Sequence, residues 1–190
     1  MDGIQFDGQQ QDERILSVVT PHPIAKTIAL IKVVALAIFF FAIILLISTV
    51  TPQAAGILKT LGGMLSIVFF VVGLWWATKT YAAAKTFITD RRILRVEMAT
   101  PFFQTKRALF WNEALKAKGF APNIFWKMLK VGTLQVLPIQ GEGEDVIVHN
   151  IYYYEDLANY IDKILFTFKN KPEDIATIHP FVPKPQGQRG

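Results

Sequence analysis

The chain has 190 residues, a formal net charge of +5 and no cysteine. Only 18% of its residues are charged, 52% are hydrophobic, and its mean hydropathy is +0.32. Soluble domains carry about 25% charged residues, so this composition indicates a membrane protein with a modest soluble part. Without cysteine, the fold includes neither a disulfide nor a thiolate metal site.

The first 23 residues are polar and acidic. Their acidic residues are Asp2, Asp7, Asp12 and Glu13. A secretory signal peptide has a basic start and a short apolar run, and this segment is acidic while the apolar run after it is too long. We therefore interpret residues 1–23 as a polar N-terminal and juxtamembrane segment, a mobile tail followed by a juxtamembrane stretch that begins at Glu13 with "ERILSVVTPHPI".

Two long apolar runs follow within residues 24–81. The first contains twenty residues with one charge, Lys32, near its start. At ~1.5 Å per residue it extends about 30 Å, roughly the hydrocarbon thickness of a bilayer. The second run is uncharged and a short uncharged link joins the two. The sequence therefore predicts a transmembrane hairpin with spans at about 28–50 and 57–78.

Aromatic and basic residues mark one end of this hairpin. An interfacial aromatic belt is predicted at the end of the second span, formed by Trp75, Trp76 and Tyr81. Basic residues follow at Lys79, Lys85, Arg91, Arg92 and Arg95, whereas the link between the spans has no charge. Because Lys and Arg are enriched on the cytoplasmic side of spans, we expect a two-span cell-membrane protein with both termini in the cytoplasm.

Three small residues of the second span share one helix face. Gly62, Ser66 and Gly73 are separated by four and seven residues. Small residues on one face allow two helix backbones to approach closely. The partner helix is either the first span of the same chain or the span of a second copy.

Residues 82–168 have the pattern of strands followed by a helix. The segments "KTFIT" and "RILRVEM" flank a tight charged turn, and Leu94, Val96 and Met98 alternate with polar residues. Near the end, apolar residues from Leu157 to Phe168 recur at helical spacing. We predict an α+β fold in which six or seven antiparallel strands are closed by one C-terminal helix.

Two further segments have distinctive compositions. Residues 169–190 are polar and rich in proline, which predicts a disordered tail. The segment "IFWKMLK" has a helical period and is interpreted as a short helix or as a turn that packs into the sheet. We expect Phe125 and Leu129 of this segment to fill the core.

The order of three motifs resembles a known family. "TFITDRRIL" places Thr89 and Arg92 in a Thr-x-x-Arg turn after the second span, and "KMLKVGTLQV" follows in mid-domain. Upstream, "ERILSVVTPHPI" contains Glu13 and a His-Pro pair. Over residues 13–168 this set resembles the bacterial PH-domain family, the YdbS-like membrane proteins. The resemblance implies a PH-like fold, a strongly bent antiparallel sheet capped by a helix, but it implies little about activity.

We find no set of residues that predicts catalysis. The three histidines, His22, His149 and His179, are far apart and have no partners at metal-ligand spacing. An acidic turn at Glu142, Glu144 and Asp145 lacks the length of a calcium loop. Phosphate-binding glycine loops and the Gly-x-Ser-x-Gly motif are absent from the sequence. We therefore expect no enzymatic activity, no metal and no cofactor.

The charge distribution predicts a binding surface. Residues 79–130 have a net charge of +8, whereas residues 131–190 have a net charge of −3. Anionic lipid attracts juxtamembrane basic residues by ~1 kcal/mol each, and an aromatic residue beside lysines suits an interfacial segment. The candidate lipid-contact residues are Lys79, Lys85, Arg91, Arg92, Arg95, Trp126, Lys127 and Lys130. Alternatively, these basic residues only set the membrane topology.

Two functional hypotheses follow. The first is a membrane-anchored, non-enzymatic binding or scaffold module that contacts anionic lipid or a protein partner at the cytoplasmic face. The alternative is a structural subunit of a membrane complex, or a homo-oligomer, assembled through its helices and sheet edge. A transporter is disfavoured because neither span contains an acidic residue, and nucleic acid is not an expected partner because topology already explains the basic residues.

Overall fold

The computed structural model describes residues 5–139 and 143–183. These residues form two compact units. The helical unit contains residues 23–83 and 98–103, and the sheet unit contains residues 5–22, 84–97, 104–139 and 143–183. Glu142, part of the acidic turn expected from the sequence, lies outside the described residues.

Two long helices dominate the helical unit: α1, Pro23–Val50, and α2, Ala55–Ala83. α1 begins at a proline, which is favourable there because the first helical residue needs no N–H group. It ends before Pro52, since a proline disfavours helical backbone at the preceding residue. A 3-10 turn, Pro52–Ala54, leads into α2. Each helix rises about 42 Å, which exceeds the hydrocarbon thickness of about 30 Å.

Both helices are long and apolar enough to cross a membrane. Their large apolar side chains are exposed on several sides, as at Leu46 of α1 and Ile67 of α2. A helix that is apolar all round is stable either inside a large core or in a bilayer. Because these side chains are not covered by protein, the two predicted spans have the surface expected of membrane helices.

The small face of α2 lies against α1 of the same chain. A Cβ atom at Gly62 would overlap the side chain of Ile44, and one at Gly73 would lie 2.7 Å from Val33 Cγ1. Ser66, which lies between the two glycines on α2, is buried, and its hydroxyl donates to the Gly62 carbonyl at 2.8 Å. The three small residues therefore permit close packing within the hairpin.

Seven strands form two antiparallel sheets within the described residues. The four-stranded sheet has the order β1-β2-β3-β4, with β1 Ile15–Val19, β2 Lys85–Thr89, β3 Arg92–Thr100 and β4 Phe103–Phe110. The three-stranded sheet has the order β5-β6-β7, with β5 Ala114–Phe120, β6 Val131–Pro138 and β7 Val146–Tyr152. A short helix, α3, spans Ile124–Met128, and the C-terminal helix, α4, spans Tyr154–Asn170.

Residues 5–22 belong to the sheet unit: the described part of the expected mobile tail packs on this unit, and the juxtamembrane stretch contributes a strand. β1 pairs antiparallel with β2, with Val18 opposite Phe87, although α1 and α2 separate these strands in the chain. Phe6 and Glu13 are buried. The apolar run of β1 is only five residues long, so its partner, some 70 residues away, could not be recognised from a local pattern.

The core lies between the sheets and α4. Trp111 and Leu134 are fully buried in it, together with the inner face of α4, formed by Leu157, Ile161, Ile164 and Leu165. α4 also covers the edge of β5, because Asp162 Oδ1 accepts from the Ala117 N–H at 2.8 Å and Lys169 Nζ donates to the Ala114 carbonyl at 2.7 Å. These bonds satisfy backbone groups that an edge strand otherwise exposes.

The described part of the tail that was expected to be disordered, residues 169–183, is structured and packs on the core. Residues 169 and 170 complete α4, and Pro172–Thr177 form a 3-10 turn. Ile178 is buried, and the Phe181 N–H donates to the Leu16 carbonyl of β1 at 3.2 Å. Three apolar residues, Ile175, Ile178 and Phe181, let this polar segment dock on the core, whereas residues 184–190 lie outside the described chain.

We expect Gly62→Ala to weaken the helix hairpin, because the added methyl group overlaps Ile44. Overpacking costs about 1–3 kcal/mol. The matched control is Gly63→Ala, whose Cβ would meet only Phe41, at 3.8 Å. Thermal unfolding in detergent micelles should show a lower Tm for Gly62→Ala alone, and Ile44→Ala should reduce that loss in the double variant. Equal Tm values for the two alanine variants would contradict this packing.

We expect Gly119→Ala and Gly132→Ala to destabilise the sheet unit. A Cβ at Gly119 would overlap the Tyr154 carbonyl, and one at Gly132 would overlap the Tyr154 ring. The backbone carbonyl can move only with α4, so Gly119→Ala should cost about 1–3 kcal/mol, the range for overpacked cores. Gly56→Ala is the control because a Cβ there meets no atom within 4 Å. Wild-type stability of Gly119→Ala would show that α4 does not depend on this contact.

Candidate functional site

The turn between β2 and β3 forms a buried ion pair with the segment before the first span. Arg92 donates through Nε to Glu13 Oε1 and through Nη2 to Glu13 Oε2, both at 2.9 Å. Thr89 Oγ1 also donates to Glu13 Oε1, at 2.8 Å. The Glu13 side chain has no exposed surface and that of Arg92 has little. We call Glu13, Thr89 and Arg92 the buried triad.

The triad is extended by the turn and by aromatic side chains. Thr89 Oγ1 accepts from the Arg91 N–H at 3.2 Å and from the Arg92 N–H at 3.0 Å. The Trp111 indole N–H donates to the Thr89 carbonyl at 3.0 Å. The Arg92 guanidinium lies 5.6 Å from the ring centre of Phe6, within the range of a cation–π interaction. The polar groups of the triad are therefore paired and enclosed.

Two opposing effects act on the pKa of Glu13. Burial raises it, because burial disfavours the charged carboxylate. Hydrogen bonds from the Arg92 side chain, the Gln10 backbone and the Thr89 hydroxyl, together with the positive charge of Arg92, lower it. The second effect prevails, so the pKa of Glu13 lies below its ordinary value of 4.5. Glu13 is therefore a structural carboxylate that is charged at neutral pH.

The arginines proposed as lipid contacts have partners within the sheet unit. Arg92 is held in the triad, and Arg95 forms an ion pair with Glu97 on the same strand. Arg91 is exposed, and its Nη1 donates to Gln10 Oε1. A lipid headgroup could therefore bind Arg92 or Arg95 only if the guanidinium gave up its carboxylate partner.

The lysines proposed as lipid contacts are exposed. Lys79 lies in the last turns of α2 and Lys85 begins β2. Trp75 and Trp76 are exposed one turn before Lys79, and Tyr81 is half-buried after it. The predicted aromatic belt residues therefore share the end of α2 at which basic residues begin.

An exposed apolar and basic patch surrounds α3. Asn123 caps this helix, since its side chain accepts from the Trp126 N–H at 3.1 Å. Ile124 is 79% exposed, Met128 is 78% exposed, and both Lys127 and Lys130 are exposed. We call Ile124, Phe125, Lys127, Met128 and Lys130 the α3 patch. From Ala114 to Gly141 the chain contains four lysines and no acidic residue, so no nearby sequence neighbour neutralises the patch.

The expectation that Phe125 fills the core is wrong, since this side chain is 55% exposed. Leu129 and Trp126 are half-buried, and the Trp126 ring packs edge-on against Phe125 with 5.7 Å between centroids. α3 has only five residues, so it is too short to have one continuous buried face and one solvent-facing face. Sequence reasoning identified the mixture of aromatic and basic residues but not how many apolar side chains it exposes.

The histidines occupy three separate places. His22 packs edge-on against Tyr152, and His149 Nδ1 lies 3.3 Å from Thr133 Oγ1. The His179 carbonyl accepts from the Tyr160 hydroxyl at 2.7 Å. In the part of the chain that the structure describes, no group of three metal-ligating side chains comes together.

Comparison with family models, with curated proteins and with solved structures finds no match to this chain. Two features of the sheet unit therefore bear on function. These are the buried triad, which is structural, and the exposed α3 patch, which is available to a partner.

We expect Glu13→Gln to destabilise the sheet unit by roughly 3 kcal/mol, because removing one charge leaves Arg92 buried without its counter-ion. The adjacent, exposed Asp12 provides the control Asp12→Asn, which should leave stability unchanged. Thermal unfolding followed by tryptophan fluorescence in micelles measures both variants. Wild-type stability of Glu13→Gln would show that the triad contributes little.

The same pair of proteins tests the pH dependence. Because the folded-state pKa of Glu13 is depressed, its contribution to stability is complete above the unfolded value of 4.5 and is lost as the pH falls through the folded value. The Tm difference between wild type and Glu13→Gln should therefore be large at neutral pH and shrink below about pH 4.5. A difference that grows in acid would contradict this assignment.

Proposed function

We propose that this chain is a membrane-anchored, non-enzymatic binding module whose α3 patch contacts anionic lipid at the cytoplasmic membrane face. The observation that carries the proposal is the exposure of Ile124, Phe125 and Met128 beside Lys127 and Lys130. Large exposed apolar groups with interspersed lysines suit a segment that lies in the headgroup region.

The architecture of the sheet unit supports a PH-like assignment. A four-stranded and a three-stranded antiparallel sheet enclose one core, and the C-terminal helix α4 packs on β5 and β6. The residues that suggested the resemblance also meet, since Glu13, Thr89 and Arg92 form the buried triad. We therefore propose that this unit is a PH-like domain of the bacterial type.

Short links to both spans favour lipid as the partner. One residue, Ala84, separates α2 from β2, and three residues separate β1 from α1. Such links keep the local concentration of bilayer surface high, so a weak interaction is sufficient. Two lysines near an anionic surface contribute about 2 kcal/mol, and full burial of an apolar side chain contributes about 1.5–3 kcal/mol.

The orientation of the hairpin is also a proposal. Lys26 and Lys32 lie in the first half of α1, and Lys79 and Lys85 lie at or after the end of α2, whereas Lys59 is the one basic residue near the link. Basic residues are enriched on the cytoplasmic side of spans. We therefore place the sheet unit and both termini in the cytoplasm, with the link outside the cell.

The test uses the full chain in lipid nanodiscs. Because the chain has no cysteine, Met128→Cys can be labelled uniquely with an environment-sensitive fluorophore. We expect blue-shifted emission when the disc contains about 30% phosphatidylglycerol, and we expect high salt to reverse it. Neutral phosphatidylcholine discs should show a smaller shift.

Charge variants test the role of the lysines. Lys127→Gln/Lys130→Gln should lower the docking equilibrium about thirtyfold, the equivalent of roughly 2 kcal/mol. Lys163→Gln/Lys171→Gln removes the same charge from exposed positions on and just after α4 and should leave the shift unchanged. Emission that is identical in neutral and anionic discs, or equal loss in both charge variants, would reject the α3 patch as the lipid contact.

A further inference from the structure

Two phenylalanines are exposed where β3 turns into β4, one in the turn and one at the first residue of β4. Phe102 is 74% exposed and Phe103 is 72% exposed. The turn is defined by Pro101, which restricts its own backbone, and by a hydrogen bond from the Phe103 N–H to Thr100 Oγ1 at 3.2 Å. The two rings are therefore presented by an ordered turn.

The segment around the turn contains no charged residue. From Met98 to Thr105 eight consecutive residues are uncharged, and the charged residues Glu97 and Lys106 lie at either side. Loop tips in water are normally rich in polar and small residues. Two exposed phenylalanines at an uncharged tip are instead typical of a surface that contacts an apolar environment.

Residues 98–103 belong to the helical unit, and their aromatic contact within it locates the turn along α2. The Phe102 and Trp75 ring centroids are 6.0 Å apart. Trp75 is one helical turn before Lys79, so it lies at the apolar side of the first basic residue after the second span. Phe102 therefore lies at the level of the predicted aromatic belt.

α1 carries a charged residue close to the height at which Trp75 and Trp76 lie on α2. Val33 packs against Gly73 of the antiparallel helix α2, so the neighbouring residue Lys32 lies slightly below the height of Trp76, and both line one groove of the helix pair. Lysine at the end of a span places its ammonium among the headgroups while its stem stays in the apolar region. Lys32 of α1 and Lys79 of α2 thus lie on either side of the level of Trp75 and Trp76.

We propose that the β3–β4 turn is a second membrane contact, in which Phe102 and Phe103 insert into the lipid headgroup boundary beside Trp75. The occupant of this apolar tip is the bilayer that surrounds the helices. This inference rests on the proposed membrane insertion of α1 and α2, but it does not depend on the α3 patch.

Spin labels on the full chain in nanodiscs test this inference. A nitroxide is placed at Phe103→Cys, at Leu46→Cys in the last third of α1 but inside the first predicted span, and at Gln53→Cys in the link between the helices. Power saturation compares collisions with oxygen, which concentrates in lipid, and with a water-soluble nickel chelate. We expect the oxygen-to-nickel ratio at position 103 to exceed that at position 53 severalfold and to lie below that at position 46.

Each alternative result has a distinct meaning. A nickel-accessible label at position 103, together with a lipid-exposed label at position 46, would overturn the second contact and leave the membrane spans intact. Low accessibility to both reagents at position 103 would also overturn it, because a protein surface would then cover the tip. A nickel-accessible label at position 46 would overturn the membrane insertion itself. A second label at Phe102→Cys should repeat the result for position 103.

Discussion

The ion pair between Glu13 and Arg92 is the constraint on which the sheet unit depends. Glu13 precedes the first helix and Arg92 follows the second, so one buried contact joins the two ends of a helical insertion. The pairing of β1 with β2 joins the same two segments a second time, because these strands are adjacent in the sheet but separated in the chain by both helices. Because an unpaired buried charge is costly, separation of the two segments would leave Glu13 and Arg92 without their counter-ions.

This arrangement gives the two kinds of basic residue different roles. Arginine has a rigid fork of donors. Arg92 donates to both carboxylate oxygens of Glu13, and Arg14 Nη2 donates to the Ile175 and Ile178 carbonyls at 3.1 and 3.0 Å, all within the sheet unit. The lysines of the α3 patch, Lys127 and Lys130, are exposed on flexible stems. The proposed contact with anionic lipid requires charge without fixed geometry, which lysine provides.

The exposed apolar groups of the sheet unit and the β3–β4 turn occur in the same chain as two helices long and apolar enough to cross a membrane. A freely diffusing protein with α3 and the β3–β4 turn exposed would be prone to association through these patches. A chain held at a bilayer can cover the same groups with lipid. In the proposed function, lipid covers the apolar groups that would otherwise promote association, and the short links between the helices and the strands make weak contacts effective.

Local patterns alone determined the two apolar helices and the amphipathic helix α4, because length, hydropathy and the 3.6-residue period are properties of neighbouring residues. The sequence also identified Thr89, Arg92 and Glu13 as notable, but it could not show that they meet. Only the tertiary structure decided that β1 joins the sheet, that Ile178 and Phe181 dock on the core, and that Phe125 faces outward. The pairing of β1 and the docking of Ile178 and Phe181 depend on partners distant in the chain. The exposure of Phe125 depends on how many apolar groups the core can hold. Neither dependence produces a periodic pattern in the residues concerned.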